Sequence, residues 1–495
     1  MILGCQAVIR TSSSCSEVQL RSPGFPYRLA RKREPLWGSC KMTRPICFKV
    51  GPRWIAVPGE LRGYEEAHRR YGKLPWKTLF EPTIKFLDPG IRIPEGQELM
   101  VVTLSSRKLF YNKQGAALGG GDLLRWPALV ETLRAVAEKG ANEFYRGTTA
   151  EKLVQDIAKE GSTLSLRDLR DYRVEVMSPV NISLGEYTVY SAPRPAAGPI
   201  LLFILNVLKG FNFTKESMST PSQNAETYHY IAETLKFANG QRVKLDDPLF
   251  SRTGEGVLSE LISDSFASQV RQRIDERGDH PASHYDAVQV GKTSFGTSHV
   301  SVLAEDGSAV SATSTINYPF GSMVYSPQTG IILNNELSDF CMKKSSDRIS
   351  DCIGCSPSHS LVPPPIGEMP PSSMTPSILI SRDGQSKLVV GGSGGQLIIP
   401  TASGLGGLIE LSWSASVAIY LFTYLFIAFI THPFLQGAEG GIYGSPPTPA
   451  ILSSQQPSEV GGAERGSYCP KVTLVSFMAE SGFETWSLPG AGATL

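Results

Sequence analysis

Two runs rich in β-forming residues flank Glu305-Asp306-Gly307, and they carry the residues of clearest chemical potential in the 495-residue chain. The first run starts at Gly296-Thr297-Ser298-His299 and the second ends at Thr313-Ser314-Thr315-Ile316-Asn317. Acidic residues followed by glycine between two such runs signal a hairpin. Its register is open between two choices. A two-residue Asp306-Gly307 turn pairs Thr297 with Ile316. A three-residue loop with Gly307 left-handed pairs Thr297 with Thr315 and sets Asn317 diagonally on the same face. Only the second gathers three polar groups at one end, because a one-residue slip sends alternate side chains to the other face. A threonine hydroxyl is a poor nucleophile without a base beside it. Cutting the Gly296–Thr297 bond would free an α-amine, with an ordinary pKa of about 7.7–8.0, at the right place to serve as that base. The same residues also read as a strand that simply begins with Gly-Thr.

Other groups could support such chemistry. Glu336 and Asp339 are three residues apart and can converge on one ammonium, or can belong to a solvated acidic loop. Gly391-Gly392-Ser393-Gly394-Gly395 is not followed by Lys-Ser or Lys-Thr, so it is not read as a phosphate loop. Glycines there would instead let backbone N–H groups approach an acyl oxygen. His299 is read as structural rather than as the base. Cys352-Ile353-Gly354-Cys355 with His359 has no second pair, which leaves zinc, a local disulfide or free thiols open.

The elements that must position these groups show in the periodicity. Pro127 opens a helix with Leu129, Val130, Leu133, Val136 and Ala137 on one stripe, closed at Lys139-Gly140. Ile200 to Leu205, followed by Val207 and Leu208, is apolar all round and too short to span a bilayer, so it reads as a buried core helix. Tyr228, Ile231, Ala232 and Leu235 form another helix, expected to end at Asn239-Gly240. Helices are expected through the middle of the chain and strands after Phe295. Lys209, Arg62, Arg69 and Arg70 read as solvated helix faces. The Pro-, Ser- and Cys-rich stretch from Cys341 to Met374 reads as a surface loop. Residues 412–431 are uncharged and mostly apolar, long enough for a transmembrane segment or a translated non-coding run. Residues 1–50 lack periodicity, and Met1 to Gly4 do not read as a secretory signal.

Composition narrows the function. Apolar residues make up 41% and charged residues 19%, a globular balance, and a net charge of +1 argues against nucleic acid as a partner.

Several of these motifs together resemble the gamma-glutamyltransferase family. They are Gly296-Thr297-Ser298-His299 with the run to Asn317, Asn334-Asn335-Glu336-Leu337-Ser338-Asp339, Pro371-Ser372-Ser373-Met374, the Gly391–Gly395 run, and Ala56-Val57-Pro58-Gly59-Glu60-Leu61-Arg62-Gly63-Tyr64. Within the family the chain is most similar to the gamma-glutamyl leukotrienase branch. The resemblance implies an α+β fold, the αββα sandwich of N-terminal-nucleophile hydrolases, incomplete at both ends. It divides the chain into a non-matching segment 1–52, a helical large-subunit-like region 53–296, a β-rich small-subunit-like region 297–402, and a non-matching tail 403–495. Carried over, Thr297 is the nucleophile freed by self-cleavage, Thr315 tunes it, and Gly394 and Gly395 form the oxyanion hole. Asn317, Glu336 and Asp339 hold the substrate α-amino group, and Ser372 and Ser373 its α-carboxylate. The family's carboxylate-clamping Arg falls ahead of Trp54, where no residue here is matched to it.

The resemblance further implies hydrolysis or transpeptidation of glutathione, glutathione S-conjugates and leukotriene C4, with no cofactor. Its partners would be γ-glutamyl donors, amino acid or dipeptide acceptors, and the two cleavage fragments for each other. The expected location is the outer face of the plasma membrane, with sequons at Asn181 and Asn212. The alternative is an inactive splice form with a binding or membrane-tethered role.

Overall fold

A computed structural model describes residues 2–3, 5–11, 51–93, 107–214, 216–250, 256–286, 297–318, 320–342, 367–392, 474–475 and 485–486. Two sheets sit at its centre. One has the strand order Lys387–Val390, Ser377–Ser381, Tyr187–Ser191, Val180–Leu184, all antiparallel. The other holds Thr297–Leu303 and Ala309–Thr315, with Cys5–Thr11 antiparallel along the outer edge of the latter. The sheets face each other and are tied at their contact: Ser311 Oγ donates to the Val390 carbonyl (3.0 Å) and accepts from the Ser377 N–H (3.0 Å). Helices cover both outer faces. Gly198–Lys209 lies on the first sheet, and Glu60–Tyr71 approaches the second at Cys5–Thr11. The expected αββα layering is therefore present.

Local chemistry explains the covering helices. Pro127–Lys139 begins with proline at its first turn and ends at Gly140, whose φ of 76° would strain any residue with a Cβ. Leu129, Val130, Leu133, Val136 and Ala137 are all buried, as their spacing predicts. Gly198–Lys209 is buried through Leu208 because it lies between the first sheet and two further helices, Pro221–Gln241 and Asp264–Arg273. Removing each of its large side chains from water stabilises the fold by about 1.5–3 kcal/mol. A second core, around Phe144, Tyr145, Leu153 and Ile157, takes in Ile331 and Leu333 from beyond the Thr297–Thr315 hairpin.

Several expectations are corrected. The helix through Ile231 does not stop at Asn239-Gly240; it spans Pro221–Gln241. A Cβ on Gly240 would come within 1.9 Å of the Tyr285 carbonyl, so the glycine serves a close backbone approach rather than a stop. Strands occur before Phe295, at Val180–Leu184 and Tyr187–Ser191, where they pair with Ser377–Ser381 and each other. The end of the supposed surface loop is not on the surface: residues 371–374 are buried. Arg62 is not solvated either. Its guanidinium lies 4.5 Å over the Tyr145 ring and bonds Glu65 (2.7 Å) and Asn142 (2.8 Å). Lys209 pairs with Asp264 at 2.6 Å, whereas Arg69 and Arg70 hold Glu66 at the surface as expected.

Among the described residues no helix is long and apolar enough to cross a membrane, and no cluster of His, Cys, Asp and Glu could hold a metal ion. The apolar run 412–431 and Cys352–Cys355 lie outside those residues.

Candidate active site

The hairpin adopts the three-residue loop. Thr297 pairs with Thr315, the register continues to Leu303 opposite Ala309, and Gly307 has φ 77°. Ala304 N–H donates to the Ser308 carbonyl and Gly307 N–H to the Ala304 carbonyl, which closes the turn. As that register requires, the Oγ atoms of Thr297 and Thr315 lie 3.0 Å apart. Thr315 Oγ also accepts from the Asn317 N–H at 2.9 Å.

Asn317 then turns the chain out of the strand with φ 73°, a left-handed conformation that asparagine tolerates better than most residues. The turn carries its amide to the acidic segment. Asn317 Nδ2 donates to Asp339 Oδ1 (2.7 Å) and Ser338 Oγ (3.0 Å). An unbroken path of bonds thus runs from the Thr297 hydroxyl to the Asp339 carboxylate.

Glu336 and Asp339 lie on the short 3-10 helix Glu336–Met342 and are buried, 1% and 6% exposed, rather than solvated. Glu336 Oε1 is buried without a hydrogen-bond partner among the described residues. Burial, reinforced by the negative charge of Asp339, pushes the Glu336 carboxyl well above the usual carboxylate range. Buried carboxylate oxygens are rarely left bare, which makes this atom a candidate acceptor.

The segment is braced from a distance. Asn334 exchanges two hydrogen bonds with the backbone of Ala56 (3.1 and 3.0 Å), and its Oδ1 also accepts from the Glu336 N–H (3.1 Å). A few residues on, the buried carboxylate of Glu60 takes bonds from Tyr64 (2.5 Å) and from Ser314 (3.0 Å), one residue before Thr315. The Ala56–Tyr64 motif therefore holds both the acidic turn and the end of the Thr297–Thr315 hairpin.

Ser372 and Ser373 are also buried. The Ser372 N–H donates to the Pro195 carbonyl (2.9 Å), and Ser373 Oγ accepts a 2.6 Å bond from Arg242. The sequence offered no sign of Arg242, which follows the Pro221–Gln241 helix and lies 131 residues from its serine.

His299 is structural. Its ring bonds Thr313 (2.8 Å) and Ser301 (2.9 Å), and burial lowers its pKa to about 3. The ring also packs under Gly391, where a Cβ would approach within 2.2 Å. Gly394 and Gly395 lie outside the described residues.

Residues 33–405 match the family model described as gamma-glutamyltranspeptidase. The chain belongs to the gamma-glutamyltranspeptidase family. It is 50% identical over 375 residues to the rat protein named glutathione hydrolase 5 proenzyme, covering 74% of this chain and 63% of that protein. Its human counterpart is 49% identical over 385 residues, covering 74% and 64%. Scoloptoxin SSD14 of Scolopendra dehaani is 38% identical, covering 76% and 66%. The chain thus spans less than two thirds of the length of these relatives. In three dimensions it is similar to the cephalosporin acylase of Bacillus halodurans, with a TM-score of 0.56, 22% identity, and coverage of 74% of this chain and 65% of that one. That likeness agrees with the N-terminal-nucleophile hydrolase fold.

Proposed function

We propose that this family member is the precursor of a threonine-nucleophile glutathione hydrolase and γ-glutamyl transferase. The reading is carried by the bonded path from Thr297 through Thr315 and Asn317 to Asp339, which sets a hydroxyl nucleophile beside a site for a free ammonium. In maturation, Thr297 Oγ attacks the Gly296 carbonyl carbon, the C–N bond breaks, and the hydroxyl proton passes to the departing nitrogen. Water then hydrolyses the ester, leaving fragments 1–296 and 297–495.

In turnover, the freed α-amine takes the Oγ proton as Oγ attacks the γ-carbonyl of the donor. The family resemblance assigns the oxyanion to the backbone N–H groups of Gly394 and Gly395. Collapse of the adduct returns the proton to the leaving amine and leaves a γ-glutamyl ester on Thr297. Water or the amine of an acceptor then attacks that ester and restores the hydroxyl. Glu336 and Asp339 neutralise the donor ammonium, and Ser372 and Ser373 donate to its α-carboxylate.

Glutathione, its S-conjugates and leukotriene C4 are the proposed donors, and the outer face of the plasma membrane the proposed location. Asn181 and Asn212 are both exposed, as glycosylated positions must be. Intact mass and N-terminal sequencing of the purified chain, followed by a glutathione hydrolysis assay, test the proposal. A fragment beginning Thr297-Ser298-His299 and release of glutamate are expected, with both lost in Thr297→Ala. Normal turnover by that variant would refute it.

A further inference from the structure

Arg242 is half-buried, and one of its terminal nitrogens donates to Ser373 Oγ at 2.6 Å. Its place is set by the fold. The helix ahead of it passes Tyr285 at the contact that requires Gly240, and the chain continues as the 3-10 turn Arg242–Lys244. Burial lowers its pKa to about 10, opposed by the negative charge of Asp339, so the group stays a cation at neutral pH. A hydroxyl has one proton to give and two lone pairs to receive. With Arg242 occupying a lone pair of Ser373, the serine O–H remains to be given, and a cation behind it makes it a stronger donor.

We infer that Arg242 is the positioning residue of the α-carboxylate half of the site, acting through Ser373 and setting a preference for donors that carry both charges of an α-amino acid. The inference rests on the function proposed above. The charges of Arg242 and Asp339 offset each other. An ammonium docking on Asp339 takes up that negative charge, and a carboxylate on the serine pair then supplies its replacement near Arg242. A ligand with only one of the two charges leaves the other protein charge buried and unbalanced, which the low dielectric of the site penalises.

The test uses the full chain with Arg242→Gln and Arg242→Lys, and three ligands measured by calorimetry: L-glutamate, 4-aminobutyrate (no α-carboxylate) and glutarate (no α-amine). Arg242→Gln should weaken L-glutamate by about 10- to 150-fold, the range of a charge-assisted hydrogen bond, while 4-aminobutyrate, relieved of the unbalanced cation, should bind as well as before or more tightly. Arg242→Lys should recover part of the loss. With γ-glutamyl-p-nitroanilide, the glutamine variant should show the loss in KM and not in kcat. Self-cleavage before Thr297 in both variants reports that the fold is intact. Equal weakening of L-glutamate and 4-aminobutyrate, or no weakening of either, would overturn the inference. Absence of anilide turnover by the wild-type chain would count against the enzymatic reading instead, since the binding ratios are read without chemistry.

Discussion

Replacing Glu336 by glutamine keeps the shape of a buried side chain and removes its ability to ionise against a bound ammonium, and the proposed site converts that change into two opposite effects. Glu336 is 1% exposed, with Oε1 unpartnered among the described residues and Asp339 adding a second negative charge. If a donor ammonium is the missing partner, losing the charge removes a charge-assisted hydrogen bond of about 1.5–3 kcal/mol. That corresponds to a fall of about 10- to 150-fold in kcat/KM for γ-glutamyl-p-nitroanilide.

Stability should move the other way. The folded-state pKa of Glu336 lies above its unfolded value of about 4.3, so the folded protein binds more protons across that interval and loses stability as pH rises through it. Glu336→Gln should therefore raise the Tm at pH 8, with the gain shrinking towards pH 4. The assays are steady-state kinetics on the anilide and on its glutaryl counterpart, which lacks the α-amine, beside thermal melts at both pH values. Only the γ-glutamyl donor should lose rate. A kcat/KM within threefold of wild type, or an equal loss on both donors, would refute the reasoning.

Other substitutions probe the surrounding framework. Thr315→Val removes the hydroxyl that joins Thr297 to the Asn317 N–H. It should slow both self-cleavage and turnover by about 5- to 100-fold, the cost of orphaning buried groups, as read from fragment appearance and initial rates. His299 is held neutral by burial, with its pKa lowered from 6.5 to about 3. The unfolded chain therefore binds the extra proton, and stability should be lost as pH falls from about 6.5 to 3. His299→Gln should flatten that slope in denaturant titrations. Gly240→Ala should lower the Tm even though alanine is the better helix former, because its Cβ meets the Tyr285 carbonyl.

What the sequence revealed depended on how local each signal was. The hairpin narrowed to two registers because strand alternation and a glycine turn are written within about twenty residues. The helices at Pro127 and Ile200 were legible for the same reason: a local apolar pattern, striped in the first and nearly continuous in the second. The strands at Val180 and Tyr187 were not, since each is five residues long and their neighbour in the sheet, Ser377–Ser381, is far along the chain. Gly240 has the chemistry of a helix stop, and only its tertiary contact shows otherwise. The acidic pair looked like a solvated loop by composition alone. Its burial comes from Asn334 locking onto Ala56, and neither residue carries that information by itself. Arg242 was the most distant case, a cation whose role exists only where the chain brings it to Ser373.

The proposed cut before Thr297 falls at a telling place in the first sheet. Tyr187–Ser191 and Val180–Leu184 come from the chain before the cut, Ser377–Ser381 and Lys387–Val390 from the chain after it, and Tyr187–Ser191 pairs directly with Ser377–Ser381. A second seam joins Trp126 to Gly330, Thr132 to Thr329, and Asp156 to Ser326 and Gln328. Neither the four-stranded sheet nor the core around Phe144 and Tyr145 belongs to one fragment alone. Once severed, the halves are no longer tethered at that point, yet coming apart would tear open a β-ladder and strip both surfaces bare. Parting and denaturing become the same event. The order of synthesis also becomes irreversible history: two polypeptides supplied separately would have to find this sheet as strangers, whereas one chain knits it first and is divided afterwards.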